Sequence, residues 1–382
     1  MDSPPLRPPS QDSREDDNFR FKTNGTPCPN GKHDGLVLEV MGPNLSELLH
    51  KRPDFQVGEP WERRFTTAFA KRALLDTLKA LDFLHQRDVV HGDLHFGNIH
   101  TCIGQLKVSP ETESKLQQSV SEGQPLVRKD GKRDLWAPSH LLEPRPLHKY
   151  FSDELQPLVK LADLGGAFSS KEPITGRDAV TPVALRAPEV IVDDVVGKGL
   201  DVWCFGCLIF EMLVGCPLFV GLQNLEGKPY DEITNDEHLC QIWDVIGPFP
   251  QSLREKWRRA DNYFGSDDEK LQPQDEGEDS PNEDKDEDIR NTGNSASLGA
   301  ESDEEMSDTS SVPLAYPGEY SSLERQFADE KPDDIRETEE QEILHLLRWI
   351  FQYDPSRRPS TAELLDHPWV SRSRGNGSNT TQ

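Results

Sequence analysis

The sequence is short of positive charge. It contains 42 Lys and Arg residues against 69 Asp and Glu residues, which gives a formal net charge of -27. Nucleic acid and anionic lipid repel a chain with this balance, so we expect no direct contact with nucleic acid or with a membrane. The same electrostatic field favours basic protein partners.

Long hydrophobic runs are also missing. The apolar run from Trp203 to Val214 is about 12 residues long and contains Glu211, whereas a helix that crosses a bilayer needs about 20. We therefore predict a core helix in this run. Met1 leads into a stretch rich in Pro, Ser and Asp rather than a basic and then apolar leader. No secretory signal is predicted, and we expect a location in the cytoplasm, the nucleus or both.

Cysteines are few and form no metal-binding pattern. Six are scattered through the chain, and no second pair of Cys or His stands at zinc-finger spacing from Cys204 and Cys207. We interpret the thiols as reduced, and these two cysteines as small buried hydrophobic side chains rather than metal ligands.

Four stretches lack the apolar periodicity of packed elements. Residues 1–18 are rich in Pro, Ser and Asp, and residues 371–382 in Gly, Ser, Asn and Thr, so we predict a disordered leader and a disordered tail. Two insertions are predicted at about 104–156, with short helices near Lys115 and Leu141, and at 266–312.

The second insertion is strongly acidic. Its residues 267–288 hold twelve acids and two lysines, so it cannot form a core of its own. We interpret it as a solvated loop, with attraction of basic substrates as the alternative.

Between these stretches the sequence predicts strands and helices. Phe19–Lys22 and Leu36–Met41 have strand character and are joined by two Asn-Gly turn signals, so we predict a β-hairpin. Apolar residues recur at helical intervals from Trp61 to Arg87. The other predicted elements are a strand at Leu158–Ala162 and helices at about 200–215, 235–247, Glu342–Phe351 and Thr361–Leu365.

Three polar residues have the spacing that phosphoryl transfer requires. Asn98 follows Asp93 by five residues, and Asp163 precedes Gly165 at a tight turn after an apolar strand. The reaction needs a group that orients the acceptor hydroxyl, and carboxylate or amide oxygens that hold metal ions on the phosphates. We therefore predict Asp93 as the catalytic base, and Asn98 and Asp163 as ligands of Mg²⁺.

Further motifs follow in a definite order. They are Ala187-Pro188-Glu189, Asp201 to Gly206 at the start of an apolar helix, Asp354 to Pro359, and His367-Pro368-Trp369. Together with His91 to Asn98 and Asp163 to Gly165, they resemble the landmarks of the C-terminal lobe of eukaryotic protein kinases, over residues 19–370.

The resemblance implies an α+β, protein-kinase-like fold with a mainly helical C-terminal lobe and a residual N-terminal-lobe β-hairpin. It implies ATP and Mg²⁺ as cofactors and transfer of the γ-phosphate to Ser or Thr of protein substrates. It also implies that Glu189 pairs with Arg358, and that Asp201 accepts hydrogen bonds from the backbone of the catalytic loop. Surface positions for these charges are the alternative.

Finer details resemble the SR-protein kinases and their fungal relatives in the CMGC group. These details are Arg186, the segment Asp236 to Leu239, and the long insertion after Asn98. The resemblance implies a monomer with basic or Arg/Ser-rich substrates. Asp236 and Glu237 would contact substrate arginines, or else respond to the dipole of a helix N-terminus.

The segment from Leu38 to Gly42 resembles the hinge of these kinases. By that resemblance the carbonyl of Glu39 and the backbone of Met41 would meet the adenine of ATP, with Leu38 at the gatekeeper position. A buried strand is the plainer interpretation, and both can hold because backbone recognition leaves the side chains free to pack.

The catalytic loop departs from the family pattern. Gly92 replaces the usual arginine that binds a phosphorylated activation segment, so we expect that segment (163–189) to order without phosphate, although Ser169, Ser170, Thr175 and Thr181 could be phosphorylated. His95 stands where a lysine usually faces the γ-phosphate, which predicts a weaker, pH-dependent catalytic cation. Thr181 lies eight residues before Glu189 rather than seven, so its usual bond to the catalytic aspartate is in question.

Part of the ATP site has no counterpart in the sequence. Nothing before Phe19 resembles a Gly-rich loop, a Val-Ala-x-Lys strand or the Glu-bearing helix that pairs with that lysine. Impaired catalysis follows, because phosphate positioning supplies most of the rate enhancement. Two alternatives to an active protein kinase stay open: a pseudokinase scaffold, and a small-molecule phosphotransferase like those for aminoglycosides and choline, whose catalytic loops are similar.

Overall fold

The computed structural model describes most of the predicted kinase region and forms two compact units. The first unit takes residues 1–43 and 102–155, and the second takes residues 44–101 and 156–382. The described residues are 26–28, 31–33, 38–58, 62–103, 114, 117, 123–132, 140–142, 145, 147–152, 154, 157–220, 230–265, 269–271 and 320–375.

In its described residues, the first unit contains two short antiparallel hairpins. Strands β1 (Thr26–Cys28) and β2 (Gly31–His33) pair with Cys28 opposite Gly31, so the observed hairpin occupies the predicted loop. The described part of the predicted strand Leu36–Met41 has no strand structure, and Phe19–Lys22 lies outside the described residues. A hairpin is therefore present, but it lies within the loop that was predicted to join the two strands.

The second hairpin corrects the prediction for the first insertion. Strands β5 (Gln124–Pro125) and β6 (His140–Leu141) pair antiparallel where a short helix near Leu141 was predicted, so that prediction is wrong. The apolar periodicity of this segment is too weak to distinguish the strand period of 2.0 residues from the helical period of 3.6 residues. Near Lys115, where a helix was predicted, Ser114 is helical, and residues 115 and 116 lie outside the described part of the chain. A 3₁₀ turn covers Leu147–Tyr150.

The second unit is mainly helical. Its helices are α1 (Leu45–Lys51), α2 (Thr67–His85), α3 (Pro188–Ile191), α4 (Lys198–Val214), α5 (Tyr230–Ile246), α6 (Gln251–Arg254), α7 (Leu323–Glu330), α8 (Glu337–Ile350), α9 (Thr361–Asp366) and α10 (Pro368–Gly375). All five predicted helices of this unit are present. Helix α10 carries helical structure past residue 370 to Gly375, and residues 376–382 lie outside the described part of the chain.

Helix α4 is the centre of the core. It is apolar around its whole circumference, as expected for a helix surrounded by protein, and it packs against α2, α7 and α8. Gly206 makes the contact with α8 possible, because a Cβ atom there would lie 2.6 Å from Cγ2 of Ile350. None of the helices that the structure describes combines the length and apolarity that a bilayer-spanning segment requires.

Short strands hold the loops that carry the polar motifs. Strand β3 (Val89–Val90) pairs with β8 (Phe168–Ser169), and β9 (Ile174–Thr175) pairs with β10 (Val195–Val196). Strand β4 (Ile99–Thr101) pairs with β7 (Val159–Leu161), with Ile99 opposite Leu161. The predicted strand Leu158–Ala162 is thereby confirmed, and it lies beside the catalytic-loop segment.

Candidate active site

The catalytic loop is fixed by one buried carboxylate. Asp201, in the first turn of α4, is fully buried, and its Oδ2 and Oδ1 accept hydrogen bonds from the backbone N–H groups of His91 at 2.8 Å and Gly92 at 2.9 Å. Charge-assisted bonds of this kind are about twice as strong as neutral ones. The expectation that Asp201 holds the loop from the core side is confirmed.

His85 completes this anchor and was missed by the sequence analysis. Its Nε2 lies 2.8 Å from Oδ2 of Asp201, and both side chains are buried. A donated N–H from the imidazole gives the carboxylate a third partner, as a buried charge requires. The available signal was a polar residue four positions after the buried Leu81 on the apolar face of α2.

The predicted base and the predicted amide ligand are in direct contact. The side-chain nitrogen of Asn98 donates to the backbone carbonyl of Asp93 at 2.9 Å and to its carboxylate Oδ2 at 3.1 Å. Asn98 is buried and Asp93 is half-buried. The amide thus holds the carboxylate of Asp93 in one orientation, and the five-residue spacing places both at the same end of the loop.

His95 points at the same carboxylate. Its Nδ1 accepts a hydrogen bond from the N–H of Gly97 at 3.0 Å, so a neutral ring carries its proton on Nε2, which lies 3.6 Å from Oδ2 of Asp93. The imidazole is therefore placed to stabilise charge beside the base.

Asp163 is brought to the catalytic loop by strand pairing. Because β4 and β7 are antiparallel, the N–H of Ala162 donates to the carbonyl of Asn98 at 2.8 Å, and Asp163 is the next residue. Asp163 has a left-handed backbone (φ 61°), and its Oδ1 accepts from the N–H of Gly165 at 3.1 Å. The carboxylate is exposed at the loop surface.

The donor set fits Mg²⁺. The nitrogen of Asn98 donates to Asp93, and among the described residues neither the amide oxygen of Asn98 nor Oδ2 of Asp163 has a hydrogen-bond partner. A carboxylate and an amide oxygen are the hard ligands that Mg²⁺ takes beside phosphate oxygens and water. The described residues contain no group of three or more His, Cys, Asp or Glu side chains arranged as a metal site.

Cys204 and Cys207 lie on the core helix that the sequence predicts for them. Both are buried within α4, and burial raises the pKa of each thiol above its usual value, which favours the neutral form. The Cys204 thiol donates weakly to the carbonyl of Leu185, at 3.4 Å.

The end of the activation segment is locked to the core by an ion pair. The guanidinium of Arg358 forms two parallel hydrogen bonds with the carboxylate of Glu189, at 2.6 and 2.7 Å, and both side chains are buried. Arg358 also donates to the carbonyls of Gln352 and Gly199. The predicted pairing is confirmed.

Thr181 does not make the hydrogen bond to the catalytic aspartate that is usual in the family. Its side chain is fully buried, and its hydroxyl donates to the backbone carbonyl of Gly92 at 2.8 Å rather than to the carboxylate of Asp93. The prediction that Thr181 is open to phosphorylation is wrong for this conformation, because a fully buried hydroxyl cannot reach a kinase.

Asp236 and Glu237 are not the exposed acids that the sequence suggested. They lie inside helix α5, and both are buried. Asp236 accepts from the indole N–H of Trp257 at 2.7 Å and pairs with Arg259 at 2.6 Å. The predicted contact with substrate arginines is wrong, because α5 starts earlier than expected and turns these acids toward the protein interior.

The predicted hinge residues belong to the first compact unit. The structure describes Leu38, Glu39 and Met41 as chain without regular secondary structure, with Leu38 72% exposed and Met41 half-buried. A buried strand is therefore not observed at these positions. Their contact with adenine stays a prediction.

Comparison with known proteins identifies the class. The family described as "Protein kinase domain" matches residues 150–370, more than half of the chain. The chain therefore belongs to the protein kinase family.

Curated relatives are themselves kinases. The chain is 28% identical over 250 residues to the serine/threonine-protein kinase SRPK of Physarum polycephalum, covering 62% of this chain and 54% of that protein. It is 23% identical over 313 residues to the protein kinase dsk1 of Schizosaccharomyces pombe, covering 62% and 55%. It is 22% identical over 343 residues to the serine/threonine-protein kinase AFC2 of Arabidopsis thaliana, covering 90% and 60%.

The protein-kinase-like fold expected from the sequence is confirmed by the family match, and the expected resemblance to SR-protein kinases is confirmed as a similarity to SRPK. The chain spans between 54% and 60% of the length of these three relatives. Kinases of this family use ATP and Mg²⁺.

Proposed function

We propose that this protein kinase transfers the γ-phosphate of ATP to Ser or Thr of basic, Arg/Ser-rich proteins. The observation that carries the proposal is the meeting of Asp93, Asn98 and the Asp163 turn at one end of the β4–β7 pair. Positioning of this kind is most of what phosphoryl transfer requires of a protein.

Each polar residue has one role in this proposal. Oδ2 of Asp93 orients the acceptor hydroxyl and accepts its proton as the bond to phosphorus forms. Asn98 and Asp163 would hold Mg²⁺, which neutralises charge on the phosphates when it is bound. His95, with its Nε2 directed at Asp93, stands in place of the lysine that usually faces the γ-phosphate.

The proposed nucleotide contacts at the hinge rest on resemblance. The carbonyl of Glu39 and the backbone of Met41 would hydrogen-bond adenine, with Leu38 beside the ring. The preference for basic substrates is supported by the net charge of -27, which raises the local concentration of cationic peptides. We further propose that the chain acts as a monomer in the cytoplasm, the nucleus or both.

The test is phosphate transfer from Mg·ATP to an Arg/Ser peptide. Asp93→Asn keeps the size of the side chain but removes the proton acceptor, so incorporation falls by roughly 10²-fold or more. Asp329→Asn, the same change at an exposed aspartate of α7, leaves the rate unchanged. A Gln/Ser peptide of equal length reports whether arginine is recognised. Equal rates for Asp93→Asn and the unsubstituted chain would rule the proposal out.

A binding module without catalysis is the second candidate. It is favoured by the two departures of the catalytic loop from the family pattern, at Gly92 and His95. A thermal shift with Mg·ATP separates the candidates. The kinase is stabilised by nucleotide and loses the shift with Asp163→Ala, whereas the module shows no shift in either chain.

A further inference from the structure

The corner where helices α9 and α10 meet contains a stacked pair of histidines. His345 lies on α8, and His367 lies between the end of α9 and Pro368, the first residue of α10. The centroids of the two imidazole rings are 5.6 Å apart and the rings are within 17° of parallel, with Nδ1 of His345 3.3 Å from Nε2 of His367. His367 is buried, whereas His345 is exposed. Two titratable rings therefore share a close contact outside the candidate active site.

The hydrogen bonds around the pair assign its protons. Nδ1 of His367 accepts a hydrogen bond from the backbone N–H of Trp369 at 3.4 Å. A neutral imidazole carries one proton, so the proton of His367 is on Nε2, and it is donated to Nδ1 of His345. His345 in turn carries its own proton on Nε2. The hydrogen bonds thus run in one direction from Trp369 through His367 to His345, and both rings are neutral.

His367 fixes the first turn of α10. Its ring accepts from the N–H of the second residue of that helix, which is the contact of an N-cap side chain. Its carbonyl accepts from the N–H groups of Val370 at 3.0 Å and Ser371 at 2.9 Å. Trp369 and Val370 are each 4% exposed, and the indole N–H of Trp369 donates to Glu339 of α8 at 2.9 Å. Loss of the cap therefore weakens the packing of α10 on α2 and α8.

Neither ring can bind a second proton and keep these hydrogen bonds. A proton on Nδ1 of His345 would face the N–H of His367, and a proton on Nδ1 of His367 would face the N–H of Trp369. A positive charge on His367 would also lie at the N-terminus of α10, where the helix dipole disfavours cations. Burial and the adjacent His345 lower the pKa of His367. The pair thus resists protonation only while α10 is in place.

The surrounding charges do not reverse this effect. Helices α2, α7, α8, α9 and α10 contribute the pairs Lys71–Glu339, Arg348–Glu324 and Arg372–Glu342, and Asp366 beside His367. Each carboxylate of these pairs already has a cation as its partner. Asp366 is exposed, so solvent and salt screen its charge. A protonated pair therefore gains little from its neighbours.

We propose that His345 and His367 form a pH-sensitive latch, which holds the first turn of α10 while both rings are neutral and releases it when the pair binds a proton. The sign follows from linkage. The closed state binds fewer protons than the open state, so it loses stability as the pH falls through the range in which imidazole titrates. The inference is independent of the proposed kinase activity, because it concerns only the packing of α10.

Hydrogen exchange of the full chain at pH 7.5 and pH 5.5 tests the latch, with rates corrected for the pH dependence of exchange itself. Amides of residues 370–375 lose roughly tenfold in protection at pH 5.5 relative to amides of 205–213 in α4, which report global unfolding. In ¹⁵N NMR spectra at pH 7.5, both rings are in the form with the proton on Nε2. A proton on Nδ1 of His367 at that pH would contradict the proposed hydrogen bonds.

Two substitutions remove the titrating groups and keep the acceptors. His367→Asn retains an oxygen for the N–H of Trp369, since asparagine is among the best N-cap residues. His345→Asn places an amide oxygen near the position of Nδ1, where it accepts from His367. In both variants the relative protection of α10 differs by less than about twofold between the two pH values. His50→Asn, the same change at an exposed histidine of α1, retains the tenfold loss.

The inference is overturned if the unsubstituted protein has the same relative protection of α10 at both pH values. It is also overturned if the two asparagine variants lose as much protection at pH 5.5 as the unsubstituted protein does. If His367→Asn does not fold, His345→Asn decides alone, because its side chain is exposed.

Discussion

At the scale of single residues, Arg358 shows how a buried charge is tolerated. Its guanidinium meets the carboxylate of Glu189 through two hydrogen bonds of 2.6 and 2.7 Å, and its remaining donors reach two backbone carbonyls. Removal of one partner leaves the other charge buried and alone, which is the costly case for buried ion pairs.

We therefore predict that Arg358→Ala lowers the free energy of unfolding by about 3–5 kcal/mol. Arg52, which pairs with Asp54 at 2.7 Å on the surface, is the control. Because solvent screens exposed pairs, Arg52→Ala costs at most about 1 kcal/mol. Urea unfolding of both variants measures the difference, and equal losses would contradict the assignment.

The two glycines of the catalytic centre offer a second contrast. A Cβ atom added to Gly92, whose φ is 76°, would lie 2.5 Å from the backbone carbonyl oxygen of Gly166. A Cβ atom added to Gly166 would instead lie 2.7 Å from Cγ2 of Val180. The carbonyl oxygen near Gly92 is part of the backbone and cannot move aside. Val180 is 60% exposed, so its side chain can turn away into solvent.

Gly92→Ala is accordingly expected to lower the free energy of unfolding by about 2–3 kcal/mol and to remove most of the activity. The new methyl group would clash with backbone, and alanine is strained in a left-handed conformation. Gly166→Ala is expected to cost less than about 1 kcal/mol. Urea unfolding and peptide phosphorylation check both variants. A larger loss for Gly166→Ala would show that Val180 is fixed in place.

At the scale of elements, helix α4 does more than fill the core. Its first turn carries Asp201, which accepts from two backbone N–H groups of the catalytic loop and from His85 of α2. The end of α2, the catalytic loop and the start of α4, which lies more than 100 residues further along the chain, are thereby joined at one carboxylate.

Asp201→Asn is expected to lower the free energy of unfolding by about 3 kcal/mol and to speed hydrogen exchange at 91–93. The reason is that an amide nitrogen would face an N–H donor and leave it unsatisfied. Asp329→Asn, at an exposed position of α7, is expected to change stability by less than about 0.5 kcal/mol. A fully stable Asp201→Asn protein would disprove the anchoring role.

At the scale of the whole molecule, two buried groups make opposite contributions to the pH dependence of stability. Burial lowers the pKa of His238 from 6.5 to about 4, and burial raises the pKa of Glu211 from 4.5 to about 7. As the pH falls below 6.5, the unfolded chain binds a proton at His238 before the folded protein does, so folding weakens. Between pH 7 and 4.5 the folded protein binds a proton at Glu211 first, so folding strengthens.

Each group changes the free energy of unfolding by about 3 kcal/mol over its pH range, and because the two changes have opposite signs they nearly cancel. His238→Gln, which keeps a donor for the Arg186 carbonyl, is expected to gain stability relative to the unsubstituted protein as the pH falls from 7 to 4.5. Glu211→Gln is expected to lose stability over the same range. Urea midpoints of the three proteins at several pH values test this, because all other titrating groups are common to them. Parallel curves would contradict both assignments.

Elements with strong periodicity were predictable from the sequence, and elements without it were not. The apolar pattern of α2 and α4 located both helices to within a few residues, apart from the start of α2. The hairpin β5–β6 and the early start of α5 were missed, since short or mixed segments do not distinguish periods 2.0 and 3.6.

The candidate site was predicted in part. Asp93, Asn98 and Asp163 were identified by spacing and order, and the structure brings the first two into hydrogen-bonding contact. His85 and the true partners of Thr181 were not predicted, because their contacts join residues 116 and 89 positions apart. No local pattern encodes such distances.

The sequence by itself determined the class of the protein. The order of its polar motifs, and the apolar helices between them, follow from local spacing and hydrophobic periodicity, which a chain carries without folding. Only the tertiary structure decided which polar groups are buried and what they bind. It turned Asp236 and Thr181 inward and left Asp163 outside, because burial and hydrogen bonding depend on segments that meet only when the core assembles.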